Sequence, residues 1–228
     1  MAQVKFSMLR PRLAQLLRSA DRRGFASAPS HVSAETNVQK LAGHIKSQVV
    51  ERDLRLTGFG PVVANVITKA VHVANLMVEE DRQAGKSLPY VFFRPAVKTA
   101  GVDQVGWDCD MLCHYGKIIP ESVARGTVVP RDQCLMATSK SSAHGLANRL
   151  EALLRQDSLA VVAAQGPAAV QKVFFTVAAL NKMDFCKKGG ALPEGCAVFS
   201  DLVPAFSEQS SKQIQFRFVD VTKLLRTP

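Results

Sequence analysis

Three side chains able to bind a soft metal crowd into one short stretch, Asp-Cys-Asp-Met-Leu-Cys-His, where Cys109, Cys113 and His114 fall within six positions. A tetrahedral zinc site needs a second ligand pair at finger spacing, and none follows, so the stretch reads as a strand or loop with incidental thiols and no metal is expected. The histidines (His31, His44, His72, His114 and His144) are scattered. His72 sits beside core positions of a helix, a structural place. No Ser-His-Asp or Cys-His arrangement can be assembled. Gly60 and Gly166 each precede proline, but neither G-x-G-x-x-G nor a P-loop Lys-Ser/Thr follows. They are expected to permit a tight turn or close helix–strand packing. Neither an enzyme nor a cofactor is expected.

The remaining chemistry is charge. Lys140 stands in Thr-Ser-Lys-Ser-Ser, whose serines can cap a helix that follows, and free N–H groups at a helix start attract phosphate. Arg94 and Lys98 flank a strand of the first half. Lys172, Lys187, Lys188, Lys212 and Arg217 are further candidates in the second half. Lys187 and Lys188 lie in a glycine-containing basic loop that suits phosphate contact. Taken singly, each also has the plain reading of a solvated surface cation.

The net charge of +10 divides unevenly. Residues 1–25 hold six basic side chains against one acid, half of the total. This segment is rich in Arg, Leu, Ala and Ser, with Leu9, Leu13, Leu16 and Leu17 on one helical face. That is the composition of a mitochondrial transit peptide, with cleavage expected after Phe25 and a matrix location implied; a plastid address is the competitor. Residues 26–134 carry twelve basic and eleven acidic side chains, and 135–228 carry eleven and seven. The second half is therefore the more cationic, though only modestly so for a nucleic-acid binder. No run of eighteen uninterrupted apolar residues predicts a membrane span. Five unpatterned cysteines suit a reducing compartment.

The elements that must position these residues are written twice. An offset of 106 pairs Gly60-Pro61 with Gly166-Pro167, Ile67 with Val173, Val71 with Val177 and Asn75 with Asn181; upstream, an offset of 105 pairs Leu41-Ala42 with Leu146-Ala147. Val38, Leu41, Ala42, Ile45 and Val49 stripe one helix, and Val63, Ile67, Ala70, Val71 and Ala74 another. Leu146, Leu150 and Leu153, then Val170, Val173, Phe174 and Val177, repeat the pair. Short strands alternate with them. Each copy reads β-α-β-α-β-β, an α+β unit with helices on one face of a small mixed sheet. The expected boundaries are 31–118 and 132–224, with a Pro- and Gly-containing linker at 119–131. The last strand of the first copy falls somewhere in 103–118.

The second copy, "MATSKSSAHGLANRLEALLRQDSLAVVAAQGPAAVQKVFFTVAALN", resembles stage V sporulation protein S, a small member of the Alba-like superfamily. The first copy resembles it through "GPVVANVITKAVHVA", with Asn65 and Lys69-Ala70-Val71. The closing "DLVPAF…QIQFRFV" is similar to the family's last hairpin. The resemblance implies non-enzymatic binding of DNA or RNA, with a basic residue at the place of Lys140 and another at Lys69. It also implies dimerisation, which two fused copies would satisfy as a pseudo-dimer inside one chain. Glu35 stands where Lys140 stands in the other copy, a departure that argues against symmetric binding.

Two functions follow as expectations. One is organellar nucleic-acid binding, RNA before DNA, through the phosphate backbone; Phe92, Phe93 and Phe216 are stacking candidates that also have a core reading. The other is a structural subunit of a mitochondrial assembly, a ribosome or respiratory complex, with Trp107 and Tyr115 as interface anchors.

Overall fold

The computed structural model describes residues 30–49, 54–100, 104–112, 129–157, 159–182, 196–204 and 212–220. Its elements run β1 (Ser30–Val32), α1 (Val38–Val49), β2 (Leu54–Phe59), α2 (Gly60–Gln83), β3 (Phe92–Ala100), β4 (Gln104–Leu112), β5 (Leu135–Ala137), α3 (Ala143–Gln156), β6 (Leu159–Ala164), α4 (Pro167–Lys182), β7 (Cys196–Pro204) and β8 (Lys212–Asp220). The order β-α-β-α-β-β occurs twice, as the periodicity predicts, and the class is α+β. The uncertain last strand of the first half is β4. Of the expected linker, 119–128 lie outside the described residues, and Arg131 opens a short 3-10 turn ending at Gln133.

The eight strands form one sheet in the order β1-β2-β4-β3-β7-β8-β6-β5. Each half has one parallel pair, β1 with β2 and β5 with β6, and antiparallel neighbours otherwise. A cross-strand row passes through Leu54, Met111, Phe93, Val198, Phe218 and Ala160. Read from either end, this row visits the same strands of the two halves, so Leu54 corresponds to Ala160, Met111 to Phe218 and Phe93 to Val198. The last pair are themselves antiparallel partners across the junction. A pseudo-twofold axis therefore passes between Phe93 and Val198, and the two halves meet isologously.

Alternate strand residues enter one continuous core with the apolar stripes of the four described helices: Leu54 and Leu56, Cys109 and Met111, Ala160 and Val162, Phe216 and Phe218. Strand side chains alternate between faces, so the helices form a second layer on one face. The arrangement follows from the stripes: a helix with one apolar face must bury it, and the pleat offers a matching apolar face. α2 alone among the described helices has the length and hydropathy of a membrane span, yet 56% of that window is buried inside the fold, as in a central core helix.

The junction carries the largest side chains. Trp107 of β4 packs edge-on against Phe174 and Phe175 of α4, at ring-centroid distances of 5.3 and 5.1 Å. Phe93 lies 6.0 Å from Phe174 and 6.5 Å from Phe216. The indole Nε1 donates to the Gly60 carbonyl at 2.9 Å, which supplies the partner a buried Trp N–H requires.

Candidate nucleic-acid interface

The turn carrying Lys140 is built by short polar side chains, and it is built twice. In the second half, the Thr138 N–H donates to Ser141 Oγ at 2.9 Å, the Thr138 and Ser141 hydroxyls lie 3.1 Å apart, and the Ser141 N–H donates to the Thr138 carbonyl at 3.1 Å. In the first half, Ser33 and Thr36 make the same three contacts at 2.9, 3.3 and 3.3 Å. Ser and Thr favour such turns because their hydroxyls satisfy nearby backbone groups. The helix caps also repeat. Ser142 Oγ accepts from the Gly145 N–H at 3.2 Å, and Asn37 Oδ1 accepts from the Lys40 N–H at 3.0 Å. The expectation that a serine beside Lys140 caps the helix is met by Ser142. Lys140 and Glu35, at equivalent places, are both exposed.

β1 runs parallel to β2, and β5 to β6, so the two strand-to-helix turns of a half share one sheet end; β2 and β6 run in opposite directions, so the two halves use opposite ends. At the starts of α2 and α4, Gly60 and Gly166 take φ of +80° and +81°. An added Cβ would meet nothing within 4 Å at either glycine. Of the two expected roles, the tight turn is the one they serve. The close packing falls on Gly58 instead, where a Cβ would lie 2.4 Å from Val63 Cγ1 and 2.6 Å from the Val32 carbonyl oxygen.

The other cations are dispersed. Lys98 is exposed at the far part of β3, 3.5 Å from Thr57 Oγ1 and 4.0 Å from Asp108. Lys69 is half-buried on α2. Lys172 is half-buried on α4, its Nζ 5.9 Å from the centre of the Phe175 ring. Lys212 begins β8. Lys187, Lys188 and Tyr115 lie outside the described residues, as do Cys113 and His114.

Two candidates prove internal. Arg94 Nη2 donates to Asp110 Oδ2 at 2.7 Å, and Arg55 Nε donates to Asp110 Oδ1 at 3.0 Å. Arg55, Asp110 and Arg94 are register partners across β2, β4 and β3, a charge row on the face away from the helices. Arg217, at the position equivalent to Asp110, is only 3% exposed. Arg94 is held by Asp110 within the sheet and Arg217 is enclosed, so neither is an open phosphate contact. Phe92, Phe93 and Phe216 are all fully buried, so the core reading replaces the stacking one. Trp107 is likewise fully buried, an anchor between the two halves rather than toward another molecule.

Two polar clamps have no counterpart in the sequence reading. Asn75 Nδ2 donates to the Val91 carbonyl at 2.9 Å, and the Val91 N–H donates to Asn75 Oδ1 at 2.7 Å, which ties α2 to the entry of β3. Gln215 does the same for Val129: Nε2 donates to the Val129 carbonyl at 2.7 Å and Oε1 accepts from its N–H at 3.1 Å. The repeated Asn75/Asn181 pairing was the available signal for the first. An isolated glutamine in a strand gave none for the second.

Among the described residues, no group of three metal-binding side chains occurs. Cys109 is buried in the core. Its thiol is pushed well above the usual range, first by burial and then by the Asp110 and Asp108 carboxylates, which makes it inert. No protein-family model matches this chain, and no curated protein matches it significantly.

Proposed function

We propose that this chain is a non-enzymatic nucleic-acid-binding protein of two Alba-like units fused as a pseudo-dimer, binding the phosphate backbone of RNA in preference to DNA, in the mitochondrial matrix. The observation that carries the reading is the doubled strand–turn–helix: two hydroxyl-built turns at helix starts, related by the pseudo-twofold axis, one presenting an exposed Lys140. The second half is its binding side, since its turn bears lysine where the first bears Glu35. The transit-peptide composition of residues 1–25 supports the location.

The test is binding of the full chain to single-stranded RNA, structured RNA and duplex DNA across a salt series. Neutralised phosphates make log K fall linearly with log salt. Lys140→Glu is expected to weaken binding uniformly over sequences and to reduce the slope by about one. An unchanged affinity and slope would remove Lys140 from the interface.

A second reading has its own support. Arg94 and Arg217 are enclosed, and Glu35 faces solvent where a binder would place a cation. These favour a scaffold subunit of a mitochondrial ribosome or respiratory complex. Failure to bind any nucleic acid at low salt, with co-sedimentation in a large particle, is its expected outcome. The two readings coincide if that particle is the ribosome.

A further inference from the structure

The two ends of the junction between the halves are related by the pseudo-twofold axis, yet they are filled differently. Trp107 pairs with Gly58 and Ile214 with Ala164. Since Leu54 corresponds to Ala160, Gly58 corresponds to Ala164, and Ile214 holds in the second half the place of Trp107. The paired turns Gly60 and Gly166 set α2 and α4 in the same register, so Phe174 and Phe175 correspond to Thr68 and Lys69. Burial supports this: Thr68 and Phe174 are both fully buried, and Lys69 and Phe175 are both half-buried. One end thus carries Trp107 edge-on against both Phe174 and Phe175. The symmetry-related positions carry Ile, Thr and Lys.

We infer that the junction surface of each half fits the opposite half and rejects a second copy of itself, so that the chain closes within itself instead of polymerising by like-with-like pairing. Pairing of two first halves would set Trp107 against Thr68 and Lys69 at both ends. Pairing of two second halves would set Ile214 against both phenylalanines at both ends. Interiors pack to crystal density, so side chains mismatched in volume leave voids or overlaps. Each such pair is isologous and leaves the other half of both chains uncovered for a further like pairing, so association goes beyond the single chain. The isologous sheet junction offers like pairing a template, and the aromatic end works against it.

Two variants of the full chain test this. The first equalises the ends: Trp107→Ile, Phe174→Thr and Phe175→Lys. The second adds Ile214→Trp, Thr68→Phe and Lys69→Phe, moving the aromatic set to the opposite end. Sedimentation velocity over a concentration series and far-ultraviolet circular dichroism are the readouts. The wild-type chain is expected to keep one mass throughout. The equalised chain is expected either to lose its fold or to gain mass with concentration by about twofold or more, and the transposed chain to return to a folded single species. An equalised chain that stays folded at constant mass overturns the inference. So does a transposed chain that does not recover, because the aromatics would then be filler tied to one local site.

Discussion

Asn75 shows what a single buried amide can do. Its two hydrogen bonds satisfy both backbone groups of Val91 just where the chain leaves the loop after α2 and enters β3. Asn75→Ala strands both groups in a site that is 5% exposed or less, so a loss of about 3 kcal/mol is expected in urea unfolding. A loss under about 1 kcal/mol would mean that water replaces the clamp. Cys109 sets a pH limit. Its folded-state pKa is raised above the ordinary 9.0 by burial and by two neighbouring aspartates. In alkali the unfolded chain therefore loses this proton first and binds fewer protons than the folded one, so stability falls as pH rises. The effect begins near the ordinary thiol value and is absent below it. Urea midpoints of the wild type are expected to drop above about pH 9, and those of Cys109→Ala to drop less. Parallel curves would assign the alkaline loss to other groups.

At the scale of elements, the doubled Gly-Pro start of α2 and α4 is a conformational device. Both glycines sit at φ near +80° with open space around them, so alanine costs only the left-handed penalty. Gly60→Ala and Gly166→Ala are each expected to lose about 1–2 kcal/mol, with near-equal thermal shifts. Gly58→Ala is expected to cost more, since its Cβ would strike the Val32 carbonyl oxygen, a backbone atom of β1. The second half already carries Ala164 at this place, fully buried beside Ala137. Equal losses at Gly58 and Gly60 would mean that β1 shifts freely. α1 is held to α2 by Lys46 and Asp81 at 2.7 Å, and Lys46 first, then Lys86, draws the Asp81 carboxyl below its ordinary range.

For the whole molecule, one sheet and one core span both halves, which couples their unfolding. Trp107, the single tryptophan, lies in the junction, so its fluorescence reports docking of the halves while circular dichroism reports helix content. The two signals are expected to change together in one urea transition, the mark of two-state behaviour. A fluorescence change that precedes the loss of helix would show the halves parting before they melt.

Much of this was legible from local pattern. The apolar stripes at helical spacing placed the four described helices, because a helix face must find a core whatever lies elsewhere in the chain. The Gly-Pro and Ser/Thr turns were legible for the same reason: their geometry depends on the residues that make it. The repeat announced two like units. Only the tertiary structure decided which cations face water. Arg94 and Lys98 lie four residues apart on one strand, alike in sequence, yet one is held by Asp110 from the neighbouring strand and the other is exposed. A strand's charge partners come from its neighbours, and sheet order and register are set by pairings distant in sequence. The same holds for Trp107. Its apolar bulk predicted an anchor, but the choice between an outside partner and the chain's own second half lay in the antiparallel meeting of β3 with β7, which brings Phe174 and Phe175 beneath it.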